Sequence, residues 1–204
     1  MTDALVWQAM PQGWIEFVAH GESTRDAWWE DYLRSGEGWL PAEARDALTA
    51  GYRSGCDFFR DTEFDFAGIA IAPTESPFVS IMCTKVVRGA AHDDARSYGI
   101  HALLPALRFG EDAVAEPFQA DDGRTGSVTT ALITEQGEDV VVSVGEISLP
   151  GDDANVIVLG VCTDPERREF LALHTAFALS TTRLLAAGVR PEPAAGVVAA
   201  ESTV

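Results

Sequence analysis

The sequence predicts an α+β chain, an antiparallel β-sheet flanked by helices, and three stretches carry that prediction. Asn155-Val156-Ile157-Val158-Leu159-Gly160-Val161-Cys162 is apolar at nearly every position, so both of its faces should be covered, as in a central strand. Thr163-Asp164-Pro165-Glu166 then opens a helix: the Asp164 side chain can accept from the free amides of a first turn, and Pro165 suits the first helical position. Upstream, Val114 to Ala120, Ser127 to Gln136 and Asp139 to Leu149 read as strands joined by Asp121-Asp122-Gly123 and Gln136-Gly137-Glu138, as in an antiparallel meander.

From the N-terminus, Leu5 to Met10 and Gly13 to His20 read as extended segments separated by a turn at Pro11-Gln12-Gly13. The Ser23 or Thr24 hydroxyl can cap a short helix to about Ser35, in which Trp28, Trp29, Tyr32 and Leu33 recur at helical spacing. Pro41 to Arg60 repeats Ala44, Leu48, Tyr52, Cys56 and Phe59 near every fourth position and reads as a second helix, weakened by Gly51 and Gly55. Phe64 to Ala72 and Phe78 to Val87 form an expected hairpin around Pro73 to Pro77. Asp93 or Asp94 can cap a helix to about Leu104, where Pro105 ends it. The C-terminal helix is expected to be long and amphipathic, stopping at Gly188. Its buried stripe is expected at Phe170, Leu173, Phe177, Thr181 and Leu184, widened by Leu171, Ala178 and Leu185. Burying that stripe contributes on the order of 10 kcal/mol before conformational entropy is subtracted. Residues 1–188 are thus expected to form one α+β domain, and 189–204, with Pro191, Pro193 and many small residues, a disordered tail.

At 204 residues and 47% hydrophobic, the chain can bury a full core. Its 14 Lys and Arg stand against 32 Asp and Glu, a formal charge of −18 that repels nucleic-acid phosphates and anionic membranes. The same charge gives either a well-solvated surface or steering toward a basic partner. Cys56, Cys83 and Cys162 are odd in number and form no CxxC pair, which indicates neither a disulfide framework nor a zinc site. Met1-Thr2-Asp3-Ala4 lacks the basic start and apolar core of a signal peptide, so a cytoplasmic location without membrane insertion is expected.

Motifs of chemistry are weak. Lys85, the only lysine, lies inside an expected strand with no GxxxxGK before it, and Gly36-Glu37-Gly38 follows a helix and lacks the third glycine of a dinucleotide loop. Gly51-Tyr52-Arg53-Ser54-Gly55 is off by one residue from a nucleophile elbow and sits in an expected helix. His20, His92, His101 and His174 show no HxH or HExxH spacing, and His174 falls beside the apolar stripe, where a packed histidine is expected. Asp93-Asp94, Asp121-Asp122 and Asp152-Asp153 each sit at a turn or cap, where Asp belongs for backbone reasons. No catalytic residue, cofactor or metal ligand is therefore assigned.

Trp28, Trp29, Tyr32 and Trp39 stand apart, because three tryptophans within twelve residues exceed what one helix face hides easily. Trp28 and Trp29 point about 100° apart on a helix, so one is expected to pack inward and the other to line a partner surface. The plainer alternative has both covered by the second helix.

Gly13-Trp14-Ile15-Glu16-Phe17 after a proline, a helical insertion, an antiparallel sheet, and Val156-Ile157-Val158-Leu159 leading through Asp164-Pro165 to a terminal helix with Leu184-Leu185 resemble a large uncharacterised actinobacterial family. That family looks like the PsbP-like fold, an α/β/α sandwich, and the resemblance covers roughly Pro11 to Ala187. It implies a non-enzymatic adaptor, associated in some relatives with type VII secretion, and carries over no catalytic residue. The expected function is a cytoplasmic interaction protein with a protein partner. An acidic inhibitor or immunity protein for a basic enzyme is the alternative, and an enzyme with an unrecognised site, using His20 or His174, is a third.

Overall fold

The computed structural model describes residues 5–16, 22–35, 42–58, 64–72, 78–88, 109–135, 138–149, 151 and 153–185. The expected helix from Asp93 or Asp94 to Leu104 and the tail 189–204 lie outside these residues. Nine strands are described: β1 (Leu5–Trp7), β2 (Trp14–Glu16), β3 (Phe66–Ala72), β4 (Phe78–Arg88), β5 (Val114–Gln119), β6 (Thr125–Glu135), β7 (Glu138–Leu149), β8 (Ala154–Cys162) and β9 (Arg183–Leu185). Three helices accompany them: α1 (Glu22–Ser35), α2 (Ala42–Phe58) and α3 (Arg168–Thr181).

Seven strands form one antiparallel sheet in the order β2-β3-β4-β8-β7-β6-β5. The fold is α+β, as the sequence predicts. β8 lies between β4 and β7, with Met82 opposite Gly160 on one side and Ser143 opposite Gly160 on the other. Its apolar run follows from that position, since a central strand has no solvent face. Even-numbered residues of β8, such as Val156, Val158 and Cys162, join a core that includes Leu171, Ala178 and Leu179 of α3. Ile157 and Leu159 point the other way, into a core with Trp29 of α1 and Leu48 and Tyr52 of α2. The period of two along each strand thus sorts the chain into an α/β/α sandwich.

Asp164 caps as expected: its carboxylate accepts the Glu166 amide, and Pro165–Arg167 form one 3-10 turn before α3. Two expectations for this helix are corrected. It stops at Thr181 rather than Gly188, because Thr181 and Thr182 turn their hydroxyls back onto the carbonyls of Phe177 and Ala178, and Thr182 is already extended. Arg183–Leu185 instead form β9, which pairs antiparallel with β1 in a separate two-stranded sheet. Its buried face is also turned by about one residue: Leu171, Thr175, Ala178 and Leu179 face the sheet, while Leu173 is 68% exposed. The cause lies beneath the helix, where a Cβ on Gly145 would come within 2.4 Å of Leu179 and one on Gly160 within 2.9 Å of Leu171. Two bare backbone sites in adjacent strands select which residues of α3 can sit closest.

Candidate functional site

A group of polar and aromatic side chains lies where Trp14 of β2 meets α3. Phe170 and His174 stand one turn apart on α3, so both project to the same side. The Trp14 indole N–H donates to His174 Nδ1 at 2.8 Å. Phe170 stacks on Trp14 with ring centres 6.5 Å apart and meets the His174 ring edge-on at 4.0 Å. Phe78 of β4 closes the group edge-on to Phe170 at 5.9 Å, and the Arg167 guanidinium covers the Phe78 ring at 4.9 Å. Trp14 and Phe78 are buried, Phe170 and His174 half-buried.

This geometry fixes what His174 can do. An indole N–H only donates, so Nδ1 must be the accepting nitrogen and the neutral ring carries its proton on Nε2. Burial lowers the His174 pKa, which keeps the ring neutral at pH 7. A general base needs a lone pair aimed at its substrate, and that of His174 is already engaged. The cluster holds β2 to α3 and leaves Nε2–H as the ring's remaining donor.

A second constellation closes the other end of α3. Arg124, in the turn after Asp121 and Asp122, donates to the carbonyls of Ser180 at 2.8 Å and Thr182 at 3.3 Å, and Arg183 donates to the same two carbonyls. Asp122 accepts from both guanidiniums at 2.8 Å. Burial pushes the Asp122 carboxyl up, but the Arg124 hydrogen bonds and the two arginine charges outweigh it and hold the pKa below its ordinary value. Cations on the last carbonyls complement the helix dipole, so this cluster is a cap. At the N-terminal end Arg168 donates to Thr130 Oγ1 at 2.9 Å and to the Asp112 carbonyl at 2.6 Å.

Of the aromatic residues expected to meet a partner, Trp29 is in the core, 4% exposed. Its ring lies parallel to Tyr52 at 4.3 Å and to Tyr32 at 5.5 Å, and its indole N–H donates to Thr49 Oγ1 at 3.1 Å. Tyr32 is half-buried, and burial raises its hydroxyl pKa. Trp28 belongs to α1, and Trp39 and His20 lie outside the described residues. Gly51 to Gly55 are inside α2, and Lys85 is inside β4, 3.9 Å from Asp65. Burial pushes the Cys83 thiol well up and the Cys162 thiol up, so neither is a thiolate at neutral pH. Among the described residues no group of three His, Cys, Asp or Glu converges as metal ligands, and no helix is long and apolar enough to cross a membrane.

Sequence reading did not anticipate the Trp14 to His174 bond, which joins residues 160 positions apart. The local signal was Phe170 and His174 at i and i+4, which gives a shared face but no partner.

No family model matches the chain, and no curated protein matches it. Among solved structures it is similar to LpqN of Mycobacterium tuberculosis, a protein described as involved in cell envelope biogenesis. The TM-score is 0.43 at 10% sequence identity, over 90% of this chain and 85% of that one. A likeness of that size says nothing about the site.

Proposed function

We propose that the chain is a non-enzymatic cytoplasmic interaction protein, an adaptor for a protein partner, with type VII secretion as the setting that the family resemblance implies. The observation that supports this reading most is the engagement of His174: the best-placed acid or base of the described residues holds two elements together. The partner surface is assigned to the α1 end of the molecule, with Trp28, Tyr32 and Trp39 as contacts and Trp29 anchoring α1 on α2. Large aromatics serve this role because they bury area at little entropic cost.

One observation favours the second reading, an acidic inhibitor of a basic enzyme. Arg124, Arg168 and Arg183 each donate to the chain's own carbonyls, whereas Glu111, Glu116, Asp121, Glu166 and Glu169 are exposed. Guanidiniums held on the chain's own carbonyls are less available to an outside partner than these exposed carboxylates. Affinity capture of the tagged protein from its native lysate, at low and high salt, separates the two. The adaptor reading expects a partner retained at both, lost on Trp28→Ala or Trp39→Ala with the melting temperature unchanged. A single basic enzyme lost at high salt selects the inhibitor instead. A partner that survives all the aromatic substitutions on a folded protein removes the α1 surface.

A further inference from the structure

The seven-stranded sheet ends on β2 at one edge and on β5 at the other. β2 is three residues long, and a very short edge strand offers a second chain little to pair with. β5 is twice that length, and all of its residues except the half-buried Phe118 are exposed. Such an edge is ordinarily a template for another strand, because every second residue turns its amide and carbonyl outward.

The bonds at the two ends of β5 fix which residues those are. In the turn after β5 the Ala120 amide donates to the Arg124 carbonyl at 2.8 Å. Just before its start the Leu132 amide of β6 donates to the Asp112 carboxylate, also at 2.8 Å. Bonded pairs recur at every second residue of an antiparallel ladder, so Val114, Glu116 and Phe118 bond inward to Thr130, Val128 and Gly126. Ala115, Pro117 and Gln119 therefore face away from the sheet. Proline has no amide hydrogen, and Pro117 holds the middle one of the three positions where a further strand would need one. In its own ladder the missing hydrogen leaves no bond unmade.

Charge acts in the same direction. Two copies of β5 paired antiparallel about Pro117 would set Ala115 opposite Gln119 and Pro117 opposite itself, so the central pair would lack both of its bonds. The two Glu116 side chains would then share one face at diagonal positions, about 7–8 Å apart. Each chain already carries a formal charge of −18.

We infer that Pro117 and Glu116 guard this edge against a second copy of the chain and so end the sheet at β5. The guard does not rest on the partner surface assigned to α1. It decides which contact the chain refuses.

The test uses the full chain. Pro117→Val restores the missing amide, and Glu116→Thr removes the charge. Pro117→Val should reach twice the parent's mass by sedimentation in about 1 M salt, where the Debye length is about 3 Å. Pro117→Val with Glu116→Thr should do so at low salt as well, with the Ala115 and Gln119 amides becoming protected from hydrogen exchange. Adding Ala115→Pro to Pro117→Val blocks another outward position and should return the parent's mass. In the parent background Ala115→Pro should leave the melting temperature nearly unchanged, whereas Glu116→Pro deletes an inward amide and should lower it. Three results overturn the guard: the parent's mass kept by the folded double variant at both salts, Glu116→Pro no more damaging than Ala115→Pro, or Ala115 and Gln119 amides already protected in the parent. The last two are read without Pro117→Val, so a failure of that variant to fold does not shield the proposal.

Discussion

The two faces of the central sheet are built by different physics. On the face beneath α1 and α2 the buried residues are Trp29, Leu48, Tyr52, Ile69, Val79, Ile81, Cys83, Val142, Val144, Ile157 and Leu159, apolar bodies in contact. All the buried polar residues among those described, Gln8, Ser80, Thr84, Thr130, Ser143, Thr175 and Thr182, belong to the α3 side. There Thr84 donates to Gln8 Oε1 at 2.6 Å, and the Thr182 hydroxyl lies 3.0 Å from the same oxygen, placing β4 and the end of α3 against the N-terminal segment. Apolar burial is non-directional and tolerates small rotations, whereas hydrogen bonds and glycine-backed contacts do not. Both faces bury an apolar core, and the α3 side adds the directional contacts that set the register of the helix.

The largest effect that tests this division is on the apolar face. Trp29→Ala removes a ring sandwiched between Tyr52 and Tyr32 and should cost about 3–5 kcal/mol, read as a lower urea midpoint. A loss below about 1 kcal/mol would mean that α1 and α2 contribute little to the cohesion of that side. Gly145→Ala is the counterpart beneath α3. One added methyl meets Leu179 and Thr175 at 2.4 and 2.7 Å, both fully buried, and should cost about 1–3 kcal/mol, although Ala suits a strand better than Gly. Ile81→Leu, a volume-conserving change on the other side, should cost less than about 1.5 kcal/mol. If the glycine tolerates its methyl as well as Ile81 tolerates the swap, the two faces do not differ in the way described.

Arg124→Ala comes next. It removes two donors from the last carbonyls of α3 and one partner of Asp122, a loss of about 1–2 kcal/mol. Because the Asp122 pKa is held low in the fold, this cluster's contribution is complete above the ordinary carboxylate range and is lost as the pH falls through the folded pKa. Acid unfolding of Arg124→Ala should therefore be shallower than that of the parent.

The apolar face was the legible one. A strand such as Asn155 to Cys162 declares its burial by composition, and the turns around Gly123, with φ of 84°, and before β7 mark the meander. The α3 side was not legible for a physical reason. Periodicity placed Leu173 inward, but the rotation of α3 was decided by Gly145 and Gly160, residues of other strands that have no side chain to register in a pattern. Thr181 likewise looked like a continuation of the stripe, whereas its hydroxyl and that of Thr182 turn back onto the helix carbonyls and Arg183–Leu185 pair with Leu5–Trp7. The Trp14 to His174 bond is a matter of tertiary placement, which no local spacing encodes.

That bond gives the smallest effect and the most specific one. His174 is buried enough to lower its pKa, so the unfolded chain binds its proton more readily than the folded one. Its contribution is therefore complete above the ordinary histidine range and is lost as the pH falls through the depressed folded value. Protonation also sets an Nδ1–H against the Trp14 indole N–H, two donors 2.8 Å apart, so the ring must turn or withdraw. His174→Gln should flatten the dependence of the urea midpoint on pH between about pH 7 and 5, relative to the parent. Trp14→Phe should keep the part that burial causes and lose the part due to the opposed donors, giving an intermediate slope. A parent slope unchanged by His174→Gln would place the acid sensitivity in other groups and leave His174 a packing residue only.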